Sequence, residues 1–340
     1  MRLEWLKTKR GIICICALVA ACAICLGVVA TYGGRDDDAD ILQNTEAVAE
    51  RTNFLLLGID RAASLCDVIM LVSVERPTGD VTVLQIPRDT YAAYTEKSYK
   101  KLNGTYNTLG GAEQTASFFE GAMGIEIDHY VCMGLDSLCD IVDALGGVDV
   151  DIPCDMRYSD PEQGLYISFK KGRTHLDGAL AEKFVRYRVS YAQGDIGRLD
   201  AQKIFMAALI ERLSEGVSPA VLMALCDAAS GVETDIGVTE LAKMALDVLS
   251  GGLGQVRMIT LPGAEAVATQ SGASYYVLSA PAVSELTAKF FGREREFDAD
   301  AVFLNGRYAT FKKIYAEYAE YEIYSAEDIT QNRVDISTTR

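Results

Sequence analysis

Histidine is almost missing from this chain: His129 and His175 are the only two in 340 residues, and they lie far apart in sequence. So sparse a supply supports neither a histidine-rich zinc site nor a Ser-His-Asp triad. Positive charge is also short. Lys and Arg number 32 against 48 Asp and Glu, a formal net charge of −16, which disfavours a nucleic-acid binder, whose surface must neutralise phosphates. Any anionic ligand needs a local cationic pocket. Internal repeats and low-complexity tracts are lacking. Of nine cysteines, Cys14, Cys16, Cys22 and Cys25 fall within one apolar run, where small polarizable side chains pack and a two-residue spacing is no redox motif. The other five, Cys66, Cys132, Cys139, Cys154 and Cys226, are odd in number and unclustered. They fit neither a disulfide framework nor a zinc site and predict at least one free thiol.

What is present is a folding composition, 49% hydrophobic and 24% charged, long enough to bury a substantial core. Gly11 to Thr31 contains no charge; as a helix it reaches about 31 Å, matching a hydrocarbon thickness of roughly 30 Å. Arg2, Lys7, Lys9 and Arg10 precede it against only Glu4, while Arg35 and then Asp36, Asp37 and Asp38 follow. The positive-inside rule therefore predicts a single-pass protein of the cell membrane, N-terminus cytoplasmic and the remainder outside. A cleaved signal peptide is the competing reading, but the run exceeds the roughly 7–15 residues usual for such a core. The first ten residues carry +3, leaving −19 on the rest. The expected organisation is a basic segment at 1–10, a transmembrane helix at 11–31, a linker at 32–52, a catalytic domain at 53–292 and a C-terminal extension at 293–340.

Within the domain, Phe54 to Ile59, Val68 to Val74 and Val81 to Ile86 are short apolar runs joined by loops too short for a helix, and read as three consecutive strands buried on both faces. Helices are expected at about 110–123, 134–145, 177–185 and 195–214. A second strand-and-helix set lies at Gln255 to Thr260, Tyr275 to Leu278 and Ala280 to Phe291. This mixture predicts a sheet sandwiched between helices. In the extension, Tyr308, Phe311, Tyr315 and Tyr318 have the spacing of an aromatic helix face, suited to packing back on the core or to a sugar-stacking or partner surface.

If the three strands pair antiparallel, two reversals bring Asp60, Asp67, Arg88 and Asp89 to one edge of the sheet. Two carboxylates without a neighbouring Cys or His suit a hard ion such as Mg²⁺, which completes its octahedron with water and substrate phosphate; loop capping is the alternative. Further on, Arg186 and Arg188 sit at alternate positions, which in an extended segment would form one guanidinium clamp. Asp195, Arg198 and Gln202 share one helical face. A solvated basic face paired with surface carboxylates is again the alternative. Arginine forks beside a divalent ion suit pyrophosphate, so phosphoryl transfer is the chemistry indicated.

These residues fall in motifs. Asn53-Phe54-Leu55-Leu56-Leu57-Gly58-Ile59-Asp60, Asp67, Ile86-Pro87-Arg88-Asp89-Thr90, Lys101-Leu102-Asn103, Ile141 to Val148, Leu176-Asp177-Gly178-Ala179-Leu180, Val185-Arg186-Tyr187-Arg188 and Asp195-Ile196-Gly197-Arg198 resemble, in that order, the motifs of the LytR-CpsA-Psr family. The resemblance implies an α/β fold, an αβα sandwich with a mixed central sheet and an apolar polyprenyl pocket, behind an N-terminal transmembrane helix. It implies a phosphotransferase that moves a glycopolymer with its linking phosphate from a polyprenyl-pyrophosphate carrier to a peptidoglycan sugar hydroxyl. Asp60 and Asp67 would hold Mg²⁺, with Mn²⁺ as a substitute. Arg88, Lys101, Arg186, Arg188, Arg198 and Gln202 would bind and polarise the pyrophosphate, and Asp89 and Asp195 would orient the arginines. The chain departs from the pattern at Leu65-Cys66, Gly104 and Ala201. A pyrophosphohydrolase and a noncatalytic lipid-glycan binding protein are the alternatives.

Overall fold

The computed structural model describes residues 51–60, 64–76, 78–92, 100–161, 164–187, 195–215, 218–228, 231–236, 254–269, 271–293, 311–314 and 321–330. The apolar run at 11–31 lies outside these, and no described helix is long and apolar enough to cross a membrane. The chain enters through β1 (Arg51–Asp60), β2 (Leu65–Glu75) and β3 (Asp80–Gln85), followed by the short strands β4 (Tyr91–Ala92) and β5 (Lys100–Lys101). Next come α1 (Thr105–Leu109), α2 (Ala112–Met123), β6 (His129–Gly134) and α3 (Leu135–Ala144), then β7 (Val148–Ile152), β8 (Met156–Asp160), β9 (Leu165–Phe169) and β10 (Gly172–Leu176). Helices α4 (Gly178–Arg186), α5 (Asp195–Ser214) and α6 (Pro219–Ala228) precede β11 (Glu233–Thr234), β12 (Val256–Thr260), β13 (Gly263–Ala268) and β14 (Ser274–Leu278). The remaining elements are α7 (Ala280–Phe290), β15 (Phe311–Ile314), β16 (Tyr324–Ser325) and α8 (Ala326–Thr330).

Seven strands make the central sheet in the order β11-β6-β1-β2-β3-β12-β16. The pairings β1/β2 and β2/β3 are antiparallel, as the strand reading requires, whereas β6 joins β1 and β12 joins β3 in parallel. The sheet is therefore mixed. Its strands alternate between two buried faces: Phe54, Leu56, Met70, Val72 and Val83 pack with Ile141, Phe184, Phe205 and Leu225 of the helices α3 to α6. Leu55, Leu57, Ile69, Leu71 and Leu84 pack on the other side with Phe119 and Met123 of α2 and Val283 and Leu286 of α7. Burying such a side chain stabilises by about 1.5–3 kcal/mol each, which is why these strands are apolar along nearly their whole length.

Two of the quoted motifs serve this packing. Asp177 caps α4 by accepting a bond from Leu180 N–H at 2.8 Å, and Gly178 N–H donates to Asp143 of α3 at 2.7 Å. A Cβ on Gly178 would lie 2.4 Å from the Cys139 carbonyl oxygen, so only glycine lets α4 start against α3. In the tail the expected aromatic helix is corrected at Phe311, which lies in strand β15 paired with β13. Cross-strand pairing of its edge with β13 overrides the helical spacing. Phe311 packs edge-on against Tyr91 and Tyr275; Tyr308, Tyr315 and Tyr318 lie outside the described residues. Among the described residues Cys66, Cys132, Cys139 and Cys154 form no disulfide.

Candidate active site

The chemistry-bearing end of the sheet begins with an irregularity. Cα pairing between β1 and β2 runs Gly58↔Val68 and then Ile59↔Cys66, so Asp67 is the extra residue of a β-bulge. A bulge leaves its inserted residue out of the ladder and re-aims the side chain. Gly58 is needed opposite it, since a Cβ there would come within 2.8 Å of Val68 Cβ. Asp60 ends β1 two residues beyond, half-buried, with Leu65 as its register partner.

The second component is the turn after β3. Ile86 N–H makes a last bond to Ile69 O at 2.9 Å, and Pro87, which has no N–H, then ends the strand. The next four carbonyls are all held by backbone donors: Pro87 O accepts from Thr90 at 3.0 Å, Arg88 O from Asn103 at 3.0 Å, Asp89 O from Tyr276 at 2.9 Å and Thr90 O from Leu102 at 2.9 Å. The Lys101-Leu102-Asn103 motif therefore acts as a splint for the Arg88-Asp89 turn, and the β14 hairpin braces it from the other side.

From this fixed turn Arg88 donates to Asp67 Oδ1 at 2.5 Å, and its Nε lies 3.9 Å from Asp89 Oδ1. Lys101 Nζ is 2.8 Å from Asp89 Oδ2 and 5.8 Å from the centre of the Tyr275 ring. Helix α5 supplies the third component: Arg198, only 5% exposed, donates through Nη2 to the backbone oxygen of Asp67 at 3.2 Å. One helical turn on, Gln202 is buried and its side-chain oxygen has no hydrogen-bond partner among the described residues. Gln85, fully buried in β3, ties α5 to the sheet by donating to Leu199 O at 3.2 Å, while its own oxygen accepts from Thr260 at 3.3 Å.

Five of the predicted residues, Asp67, Arg88, Asp89, Lys101 and Arg198, are thus linked in one network. Arg186 corrects an expectation: it is the last residue of helix α4, not part of an extended segment, and its guanidinium is 2.7 Å from Glu182 one turn earlier. The apolar stripe through Ala181 and Phe184 carries the helix that far. Arg188 lies outside the described residues, as does the side chain of Asp195, whose backbone starts α5. Ala201 is buried in the core, leaving no room there for a basic side chain.

Asp60 and Asp67 fit Mg²⁺ or Mn²⁺ by donor chemistry. They are oxygen ligands, the Asp67 side chain is 38% exposed, and an octahedral ion that keeps water and substrate oxygens needs only one or two carboxylates. Among the described residues no cluster of three or more His, Cys, Asp or Glu is placed to hold a metal ion. Beside Asp67, burial pushes the Cys66 thiol up to about 11; it stays protonated and is a poor nucleophile. The bulge, Gln85 and the Tyr275-Tyr276 brace escaped the sequence reading. A single glutamine inside an apolar strand was the one available signal.

The profile of the LytR_cpsA_psr family matches residues 30–291. The "Polyisoprenyl-teichoic acid--peptidoglycan teichoic acid transferase TagV" of Bacillus subtilis (strain 168) is 34% identical over 219 residues, covering 62% of this chain and 55% of TagV. The "Probable cell wall biosynthesis protein LcpB" of Corynebacterium glutamicum is 36% identical over 190 residues, 51% of this chain and 44% of LcpB. The chain spans about half the length of these curated relatives. The crystal structure of B. subtilis TagV matches with a TM-score of 0.62 at 28% identity, over 73% of this chain and 98% of that one.

Proposed function

This chain belongs to the LytR_cpsA_psr family, and from that premise we propose that it is a membrane-anchored phosphotransferase. It moves a glycopolymer, with its linking phosphate, from a polyprenyl-pyrophosphate carrier to a sugar hydroxyl of peptidoglycan. The relatives named as teichoic acid transferases support a glycopolymer donor and a peptidoglycan acceptor. The apolar run at 11–31 supports the anchor, with the catalytic domain outside the cell membrane. The observation that carries the reading is the convergence of Arg88 and Arg198, from a strand-end turn and a helix start, on the bulged Asp67.

In this reaction the acceptor hydroxyl oxygen attacks the sugar-proximal phosphorus. The bond from that phosphorus to the bridging oxygen breaks, polyprenyl phosphate departs, and the hydroxyl proton passes to a carboxylate of the cluster. Arg88, Lys101 and Arg198 present fixed donors where charge develops on the departing phosphate; one such preorganised donor contributes about 3–4 kcal/mol. By the family resemblance Arg186, Arg188 and Gln202 would add to this donor set, with Asp89 and Asp195 orienting it. Asp60 and Asp67 would hold Mg²⁺ or Mn²⁺, which when bound polarises phosphoryl oxygens as a Lewis acid.

The test is incubation of the full chain, in detergent, with a lipid-pyrophosphate glycan and peptidoglycan fragments. Metal-dependent attachment of the glycan with release of polyprenyl phosphate is expected. Absence of both across several donors would sink the assignment, and lipid-phosphate release without attachment would identify a pyrophosphohydrolase.

A further inference from the structure

The sheet carries polar side chains at both ends, and only one end belongs to the network around Arg88. At the other, four adjacent strands break their apolar alternation on the face shared with α2 and α7. Asn53, Ser73, Thr82 and Arg257 are register neighbours across β1, β2, β3 and β12, and one step further out Glu75 stands between Arg51 and Asp80. Ser73 and Asp67 lie six residues apart on β2, so this row is about 20 Å from the candidate active site at roughly 3.3 Å per residue.

The polar side chains at this end, all except Asn53, line a cleft of about 440 Å³, a size that suits a small organic ligand. One wall is the Arg51–Glu75 ion pair at 3.0 Å, with Arg51 also donating to the Phe290 carbonyl. The facing wall is Arg257 on Asp80 at 2.7 Å, its guanidinium 5.9 Å from the centre of the Phe290 ring. The floor is Ser73 and Thr82. Ser73 is only 3% exposed, and its hydroxyl has no hydrogen-bond partner among the described residues. An unpaired buried hydroxyl is destabilising, and a central strand would pack an aliphatic side chain there instead, so the position calls for a partner from outside the chain.

The charges in both walls are already matched. A bare cation would have to break an ion pair to bind, and a bare anion would find only Lys289, whose Nζ lies 5.0 Å over the Phe290 ring. A neutral polyol has no such penalty: its hydroxyls donate to Glu75 and Asp80, accept from Arg51 and Arg257, and its apolar C–H face covers the Phe290 ring. We propose that this cleft is a carbohydrate-binding site, separate from the transfer site, that takes one or two neutral pyranose residues.

The test is calorimetric titration of the full chain, in a detergent without sugar headgroups, with the β-1,4-linked disaccharide of N-acetylglucosamine, with maltose and with inorganic phosphate. Saturable binding of at least one sugar is expected, weakened about tenfold by Ser73→Ala and by Thr82→Val, the loss of roughly one neutral hydrogen bond. Ser73→Ala should leave Tm unchanged or raise it, because it removes an unpaired hydroxyl, and Arg88→Ala should still bind the sugar. Three results would overturn the proposal: no saturable sugar binding, phosphate binding in preference to sugars, or a Ser73→Ala protein that melts lower while binding as before. Sugar binding is read without turnover, so a chain that binds the disaccharide but transfers nothing would count against the transferase assignment alone.

Discussion

Replacing Arg88 by alanine removes a guanidinium that is 17% exposed, 2.5 Å from Asp67 Oδ1 and 3.9 Å from Asp89 Oδ1. Its two consequences differ in size. The structural one is small, because the carboxylates left behind are 38% and 31% exposed, and pairs so open to water contribute about 0–1 kcal/mol. The turn keeps its shape, since the carbonyls of residues 87 to 90 are held by backbone N–H groups that the substitution leaves alone. At roughly 2–4 °C per kcal/mol for a domain of this size, the melting temperature should fall by no more than about 4 °C. The catalytic consequence is larger: loss of one fixed donor at about 3–4 kcal/mol lowers kcat by roughly 10²- to 10³-fold. The assay is single-turnover release of polyprenyl phosphate from a labelled lipid-pyrophosphate glycan, run beside thermal melts. Arg88→Lys keeps the charge without the planar fork and should fall between. An alanine variant that melts normally and works within about threefold of the parent would refute the reasoning.

Asp60→Asn should raise the Mg²⁺ concentration needed to restore transfer after EDTA treatment, measured as metal-activation curves; identical curves would remove Asp60 from the proposed metal site. Gly58→Ala should destabilise by about 1–3 kcal/mol through overpacking, because its Cβ would meet Val68 Cβ at 2.8 Å, and transfer should drop with it as the bulge shifts Asp67. Burial raises the Cys66 thiol from an ordinary value of 9.0 to about 11 in the folded chain. The folded state therefore holds a proton that the unfolded state releases, so this stabilisation is complete below pH 9 and is lost as pH rises through about 11. Thermal melts of Cys66→Ala should show a shallower decline across that window than the parent. Tyr275→Leu should lower Tm and loosen Lys101, costing about 0.5–1 kcal/mol for the lost cation–π contact, visible as a modest fall in kcat with little change in the metal-activation curve.

Much of the scaffold is local and was legible as such. The apolar runs from Phe54, Val68 and Val81 became β1, β2 and β3, and the segment 195–214 became α5 with the same limits, because period-two and period-3.6 patterns report burial of a face within a few residues. The antiparallel pairing of the first three strands was a condition of the sequence reading, and the structure supplies it. Arg186 and Phe311 resisted the same treatment. Each belongs to a segment whose conformation is set by its neighbours: docking on the core for α4 and pairing with β13 for β15.

By itself, then, the sequence determined strands β1 to β3, helices α2 to α5, the two buried faces and the candidate residues at one sheet end, all properties of neighbouring side chains; strands β6 to β10 were not among them. Tertiary structure decided which of them meet. It made Asp67 a bulge, held the Arg88-Asp89 turn between Asn103 and Tyr276, and brought Arg198 across 131 positions to the Asp67 carbonyl. Those contacts join residues with no shared local pattern, and their geometry exists only after the sheet has closed and the helices have packed on it.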